Sequence, residues 1–178
     1  MKNKASSDLT GKHQHMKKIL IAVVGIAIVA LGSYALFGGQ PSAPSVNYTA
    51  LDGRTASTDS LKGKVVLVNF WATSCSGCIA EMPQLKATHQ QYAPRGYQTV
   101  AVAMSYDPLA YVQTFTAHNQ LPFFVTHDSQ GKAAQAFGDI NLTPTSILIG
   151  KDGKIIKRYL GEPDFAELHQ LIEQALAA

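Results

Sequence analysis

The feature that most constrains the fold is a pair of cysteines between a strand and a helix. Residues 65–71 (VVLVNFW) form a nearly unbroken apolar run rich in β-branched residues, which is typical of a buried central strand. Residues 79–85 (IAEMPQL) then indicate the opening of a helix. Between them lie Cys75 and Cys78, the only two cysteines of the 178 residues. Two thiols at this spacing can close into a small disulfide ring and reopen, so the junction predicts a redox-active pair.

The position of the pair also predicts which cysteine reacts first. The first turn of a helix presents unpaired backbone N–H groups and the positive end of the macrodipole. A thiol in that environment has a lowered pKa and is present more often as the nucleophilic thiolate. We therefore expect Cys75 to be the better nucleophile.

Cys75 and Cys78 could instead be packing residues, zinc ligands or a structural disulfide. Packing cysteines rarely fall at this spacing directly after an apolar strand. A zinc site requires four ligands, and the sequence has no second Cys-x-x-Cys pair. A structural disulfide across two residues closes a very small loop and stabilises little. Redox chemistry is the preferred interpretation, with the metal-binding and structural roles left as alternatives.

The charge distribution argues against a nucleic-acid partner. Residues 1–18 carry five lysines and one aspartate, a net +4, whereas the other 160 residues carry ten Lys or Arg and eleven Asp or Glu, a net −1. The folded part is therefore nearly neutral and has no basic field to attract nucleic acid.

The N-terminal region predicts a membrane anchor. Residues 19–37 are free of charge and long enough to cross a bilayer as a helix, and the basic residues 1–18 before them place the N-terminus in the cytoplasm. A cleavable signal peptide is the alternative, since residues 33–35 (SYA) have a small-x-small pattern. Residues 38–45 (GGQPSAPS) are expected to be a linker. Residues 46–178 then form an extracytoplasmic (periplasmic) domain on a single-pass cell-membrane protein.

The rest of the chain predicts alternating strands and helices. Asp52-Gly53 predicts the turn of a β-hairpin within residues 48–57. Asp107 followed by Pro108 predicts a helix start with Asp107 as N-cap, and Asp164 is expected to cap a final amphipathic helix. Tyr106 is assigned to the core. Further strands are expected at 98–105, 123–126, 145–149 and 155–159, with helices from 79 to about 92, from 107 to about 119 and over 131–137.

This order predicts a three-layer α/β fold with a central mixed sheet and an N-terminal β-hairpin. The chain resembles the thioredoxin superfamily, and within it the membrane-anchored extracytoplasmic thiol–disulfide oxidoreductases of the TlpA/ResA type. The resemblance covers about residues 46–178. It rests on residues 64–73 (KVVLVNFWAT), Cys75 and Cys78, residues 81–83 (EMP), residues 143–145 (TPT) and the Asp152-Gly153 turn.

The resemblance implies roles for the catalytic residues. Cys75 would be the exposed attacking thiolate and Cys78 the resolving thiol one turn into the helix. Glu81, three residues after Cys78 and so on the same helix face, would be the buried acid that moves protons to and from the cysteines.

The resemblance also implies a substrate-binding surface. Pro144 falls where the superfamily places a cis-proline facing the disulfide, which would leave the backbone of Thr143 free to pair with an extended substrate segment. Trp71 is expected beneath the redox loop. Ser74 stands where relatives commonly carry Trp, so partner docking is expected to be less apolar.

Two further departures from the family pattern concern the redox centre itself. Gly77 stands where a proline is common, which leaves the alignment of Cys75 with the helix less rigid. Asn69 stands where cytoplasmic thioredoxins have a buried acid, which moves that role to Glu81.

The expected function is thiol–disulfide exchange with partner proteins, with no cofactor beyond the Cys75–Cys78 pair, no resident metal, and a monomeric state. An upstream membrane donor would restore the dithiol, and cytochrome c maturation is one client pathway that the resemblance suggests. The alternative is a Cu(I) metallochaperone using both cysteines with His118 or His127. A thiol peroxidase is disfavoured, because its required Thr and Pro are replaced by Ala72 and Val68.

Overall fold

A five-stranded mixed sheet forms the centre of the molecule in the computed structural model, which describes residues 40–178. Its strands lie in the order β5-β4-β3-β6-β7. They span β3 Val65–Trp71, β4 Tyr97–Ala103, β5 Phe124–His127, β6 Thr145–Ile149 and β7 Ile155–Leu160. The helices are α1 Ser76–Tyr92, α2 Leu109–His118, α3 Lys132–Ala136 and α4 Phe165–Ala177.

Strand β3 is the middle strand and is buried along its whole length. It pairs in parallel with β4 and antiparallel with β6, while β4 pairs in parallel with β5 and β6 antiparallel with β7. A strand buried on both faces requires apolar residues at successive positions, which is why residues 65–71 show no alternation.

The two faces of the sheet pack against different layers. Alternate residues of β3 point to opposite faces. Val65, Leu67 and Trp71 pack with residues of α1, α2 and α4, whereas Val66, Val68 and Phe70 pack with the N-terminal hairpin and α3. The predicted three-layer fold with a central mixed sheet is confirmed. Asn69 shares the pleat direction of Leu67 and Trp71, so its side chain faces α1.

The N-terminal hairpin is also confirmed. Strands β1 Asn47–Thr49 and β2 Thr55–Ser57 form a separate antiparallel pair, and Gly53 adopts the positive φ of 86° that its turn requires. The hairpin is fixed to the edge of the main sheet because the Thr126 hydroxyl donates to the Thr49 carbonyl over 2.7 Å.

Residues assigned to the linker already contact the domain. The Ala43 N–H donates to the Gly153 carbonyl over 2.9 Å, and the Ile155 N–H donates to the Pro41 carbonyl over 2.8 Å. The folded domain therefore includes residues before Val46 that were expected to be linker. The predicted tail (1–18) and anchor (19–37) lie outside the described residues, and within 40–178 no helix has the length and apolarity needed to span a bilayer.

One predicted helix start is wrong. The Asp107 side chain does not cap α2, whose first residue is Leu109 and whose N-cap position is held by Pro108 without a side-chain hydrogen bond. The Asp107 carboxylate instead bonds to Thr73 in the cysteine loop. Asp164, by contrast, caps α4 as predicted, because its Oδ1 accepts from the N–H groups of Ala166 and Glu167.

The packing of α4 gives a first testable prediction. Leu168 is fully buried against the sheet, so Leu168→Ala leaves a cavity and is expected to lower the free energy of unfolding by about 3 kcal/mol. Leu160→Ala is the matched control, because Leu160 is 71% exposed and its loss should change stability by less than about 0.5 kcal/mol. Urea unfolding measures both, and equal effects would contradict this packing.

Candidate active site

The two cysteines form a disulfide at the N-terminus of α1. Their Cα atoms are 5.2 Å apart. Cys78 is fully buried in the apolar cluster beneath the helix, whereas Cys75 is half-buried at the start of the helix. Only the sulfur of Cys75 is therefore open to a partner, as its predicted attacking role requires.

Local hydrogen bonds set the position of Cys75. A turn over residues 72–75 is closed by the Cys75 N–H donating to the Ala72 carbonyl over 3.1 Å. Cys75 is then the N-cap residue of α1, and its Sγ accepts from the Cys78 N–H over 3.1 Å. The helix begins at Ser76, three residues earlier than the apolar pattern indicated, because its first turn is polar and carries no hydrophobic periodicity. A sulfur in this cap position receives the N–H contact that stabilises a thiolate.

A buried polar group lies one helical turn below Cys78. Glu81 is 0% exposed, and its Oε1 accepts a hydrogen bond of 2.8 Å from Asn69 Nδ2. The same Nδ2 donates to Ser146 Oγ over 2.9 Å. Glu81 Oε2 has no hydrogen-bond partner among the described residues.

Burial gives Glu81 an unusual proton affinity. Loss of solvent raises the pKa of its carboxyl from 4.5 to about 7, the hydrogen bond from Asn69 lowers it in part, and the charge of Glu162 raises it slightly. A carboxyl with a pKa near neutrality can both accept and release a proton at physiological pH.

The loop around Pro144 faces the cysteines. The Thr143–Pro144 peptide bond is cis, as the family resemblance implied. A Cβ placed on Gly77 would lie 3.6 Å from Pro144 Cδ, so the proline ring sits directly against the residue between the two cysteines. Among residues 40–178, the N–H and C=O of Thr143 have no hydrogen-bond partner.

Tyr106 is an active-site neighbour that the sequence did not reveal. Assigned to the core from the sequence, it is in fact 58% exposed, and its hydroxyl lies 3.3 Å from Thr143 Oγ1. It follows β4 and reaches the proline loop only through tertiary packing. No local sequence signal separates it from a core tyrosine.

The exposed large apolar side chains of the described domain concentrate near this loop. Leu142, 58% exposed, precedes Thr143 in the chain. Leu160 pairs in register with Thr145, and the next residue, Gly161, donates its N–H to the Pro144 carbonyl over 2.9 Å. We call Tyr106, Leu142 and Leu160 the apolar rim. The remaining two exposed large apolar residues, Leu109 and Tyr111, begin helix α2.

The other sequence candidates take different positions. Trp71 is fully buried beneath the redox loop, with its ring centroid 5.3 Å from that of Phe115, so it supports the site and cannot contact a docked protein. Ser74 is exposed beside Cys75. His127 Nε2 donates a hydrogen bond to the Asp107 carbonyl. Within residues 40–178 no three His, Cys, Asp or Glu side chains are grouped so that they could hold a metal ion.

The two cysteines lie at the N-terminus of a helix, on a central mixed sheet, and face a cis-proline. This arrangement defines the class of the protein: a thioredoxin-fold protein that carries out thiol–disulfide exchange.

Comparison with known proteins gives the family. Residues 39–172 match the family model described as Redoxin. The thiol-disulfide oxidoreductase ResA of Bacillus thuringiensis is 34% identical over 132 residues, covering 74% of this chain and 75% of the relative.

Solved structures agree with the sequence comparison. A candidate thioredoxin from Neisseria meningitidis superposes with a TM-score of 0.72 at 42% identity, covering 78% of this chain and 92% of its own. A thioredoxin-family thiol:disulfide interchange protein from Chlorobium tepidum gives 0.71 at 29% identity, covering 78% and 97%. The chain belongs to the Redoxin family, as a ResA-like thiol–disulfide oxidoreductase of the thioredoxin superfamily.

Proposed function

We propose that this oxidoreductase reduces disulfides in partner proteins outside the cytoplasm, with Cys75 as nucleophile and Cys78 as resolving thiol. The observation that carries the proposal is the placement of the two sulfurs. Cys75 caps the helix and is open to solvent, whereas Cys78 is buried behind it. A partner sulfur can therefore reach Cys75 first, and Cys78 only from within the protein.

The reaction transfers two electrons from the dithiol to the partner. The Cys75 thiolate attacks one sulfur of the partner disulfide, that S–S bond breaks, and the released partner thiolate takes up a proton. The Cys78 thiol then loses its proton and attacks the Cys75 sulfur. The mixed disulfide breaks, the second partner sulfur leaves as a thiolate and is protonated, and the Cys75–Cys78 disulfide remains.

Glu81 is proposed to serve the second step as a proton acceptor. The Cys78 thiol is buried among apolar side chains, where loss of its proton to bulk water is hindered. Glu81 lies on the same helix face three residues later, and its carboxyl, with a pKa of about 7, is available as a base at neutral pH. The Asn69 amide holds one carboxylate oxygen and leaves Oε2 unpaired.

The partner is proposed to dock as an extended segment. The N–H and C=O of Thr143, which have no partner within residues 40–178, can form a short antiparallel pairing that lays a partner cysteine across Cys75. Ser74, which stands in place of the usual Trp, offers no apolar contact surface to a partner. The apolar rim around Thr143 supplies such a surface. Extended segments with apolar residues beside their cysteine fit this surface.

The cellular setting follows from the N-terminal sequence. A retained anchor over residues 19–37 would hold the domain outside the membrane, and an upstream membrane donor would restore the dithiol, since the anchor contains no cysteine to carry electrons. Cytochrome c maturation is a client pathway consistent with the ResA-like relatives.

Substitution of Tyr106 tests the docking surface. Tyr106→Ala is expected to lower kcat/KM for reduction of a disulfide-bonded protein about tenfold, because an exposed aromatic contact contributes on the order of 1–2 kcal/mol. The rate with a small aromatic disulfide, which needs no docked segment, should change less than about twofold. Stopped-flow fluorescence of Trp71 and thiol titration measure both rates.

Tyr106→Phe is the matched control, since it keeps the ring and removes only the hydroxyl near Thr143, and it should retain wild-type rates with both substrates. Equal losses with both disulfides would contradict docking at Tyr106. If the reduced wild-type protein reduces no protein disulfide faster than a free thiol does, the proposed function itself is wrong.

A further inference from the structure

We propose that Asp107 is a positioning residue for the nucleophile: its carboxylate anchors the cysteine loop through Thr73 and so fixes Cys75 as the cap of helix α1. This role rests on the proposed function in one respect only, the assignment of Cys75 as the attacking thiol.

The anchor is a two-point contact on a single residue. The Thr73 N–H donates to Asp107 Oδ2 over 2.6 Å, and the Thr73 hydroxyl donates to Asp107 Oδ1 over 2.6 Å. Asp107 is only 2% exposed, so water does not compete for its oxygens. Hydrogen bonds to a carboxylate are among the stronger ones in proteins, and a bidentate pair also fixes orientation.

The Asp107 backbone is fixed from two further directions. Its N–H donates over 3.0 Å to the carbonyl of Met104, the residue that follows β4. Its carbonyl accepts from His127 Nε2 of β5 over 2.9 Å, which requires the proton to lie on that nitrogen. Asp107 is therefore bonded to Thr73 in the cysteine loop and to His127 in strand β5. Through Asp107, the cysteine loop is thus attached to the C-terminal ends of β4 and β5.

Thr73 controls the geometry of the nucleophile. It is the second residue of the turn over 72–75, which ends at Cys75. Cys75 in turn places its Sγ where the Cys78 N–H can donate to it. With Gly77 in the first turn of α1, local backbone stiffness contributes little there, so an external anchor on the loop is needed to hold the sulfur in place.

The test compares two substitutions of Asp107, two of Thr73 and one remote control in the reduced full-length chain. Alkylation of Cys75 by iodoacetamide is followed at several pH values, with the modified residue located by mass spectrometry. Asp107→Ala is expected to slow alkylation of Cys75 at pH 7 about tenfold, because the sulfur is then no longer held where the Cys78 N–H stabilises its thiolate. Asp107→Asn keeps an oxygen for the Thr73 N–H and should stay within about twofold of wild type.

Two substitutions of Thr73 test the same contact from its other side, and they still do so if Asp107→Ala fails to fold. Thr73→Val removes the hydroxyl donor and should slow alkylation about threefold, since one of two hydrogen bonds is lost. Thr73→Ser keeps the donor and should match wild type. If Thr73 had only a structural role, its substitution would change the melting temperature, but Thr73→Val and Thr73→Ser would be alkylated at the same rate.

Asp164→Ala is the remote control, because the Asp164 carboxylate, like that of Asp107, accepts two hydrogen bonds, but from backbone N–H groups at the start of α4. Its Cys75 alkylation should equal that of wild type. The inference is overturned if Thr73→Val and Thr73→Ser react alike, or if Asp107→Asn slows as much as Asp107→Ala. Faster alkylation in both Asp107 variants would also overturn it, since the carboxylate would then act through its charge and not as an anchor.

Discussion

Cys75→Ser is expected to bring disulfide exchange down to the uncatalysed background, a loss of at least about a thousandfold. The reason is that Cys78 cannot take over the attack. It is fully buried, its backbone N–H points at the Cys75 sulfur, and no other cysteine exists in the chain. A serine hydroxyl at position 75 is not ionised at neutral pH and is a poor nucleophile toward sulfur. Reduction of a protein disulfide, followed by thiol release, measures the loss.

Cys78→Ser is the matched partner variant, and it should fail in a different way. Cys75 still attacks, but no thiol resolves the mixed disulfide, so the variant should accumulate covalent complexes with its partners. These complexes should disappear on treatment with a reducing agent and be absent from Cys75→Ser. Non-reducing electrophoresis followed by mass spectrometry of the trapped proteins identifies the clients and tests the proposed link to cytochrome c maturation.

Opposite results would assign the roles differently. Trapped complexes with Cys75→Ser and none with Cys78→Ser would make Cys78 the nucleophile. If neither variant traps a protein while the wild type still reduces insulin, the assignment of Cys75 as attacking thiol and Cys78 as resolving thiol is wrong, although the exchange chemistry stands.

The fold was predictable because its signals are local. The apolar run 65–71 requires burial on both faces, the Asp52-Gly53 pair requires a turn, and Asp164 precedes a helix with apolar residues on one side. Each of these features is decided within a few residues of the chain. Together they allow few arrangements other than a sheet covered on both sides.

The details of the site were less predictable because they depend on contacts between distant residues. Asp107 followed by Pro108 has the local pattern of a helix cap, yet Thr73, 34 residues earlier, takes both carboxylate oxygens. Tyr106 has the composition of a core residue but lies at the surface against Thr143, 37 residues later. The burial of Glu81 could be predicted only through the family resemblance, since a glutamate on a helix is usually solvated.

Asn69 explains why strand β3 carries no acid beside Cys78. Strand β3 points this side chain toward α1, where its amide donates to Glu81 and to Ser146 at once. An amide in this place cannot titrate, whereas a carboxyl could. The only buried acid beside Cys78 is therefore on the helix, among the residues that the structure describes.

Glu81→Gln is expected to remove a pH-dependent loss of stability. The buried carboxyl has a folded pKa of about 7 against 4.5 when unfolded. Between these values the folded protein holds a proton that the unfolded chain has released, so the free energy of unfolding falls as pH rises. The total loss is about 3 kcal/mol, complete above about pH 7.5. A glutamine never ionises, yet its side-chain oxygen can still accept from Asn69. The variant should match wild type near pH 4 and exceed its stability by about 3 kcal/mol at pH 8.

Urea unfolding of the oxidised protein from pH 4 to pH 8 measures this difference without titration of the cysteine thiols. Glu162→Gln is the control, because it removes an exposed carboxylate that raises the pKa of Glu81 only slightly, and the slope between pH 4.5 and pH 7 should persist. Parallel stability curves for wild type and Glu81→Gln would show that the buried carboxyl is not perturbed.

The same variant can be tested kinetically. In Glu81→Gln, the rate at which Cys78 resolves the mixed disulfide should no longer depend on a group with a pKa near 7. An unchanged pH profile of thiol reactivity would remove Glu81 from the proton transfer, and the Cys78 proton would then have to leave by a path that does not involve the Asn69–Glu81 pair.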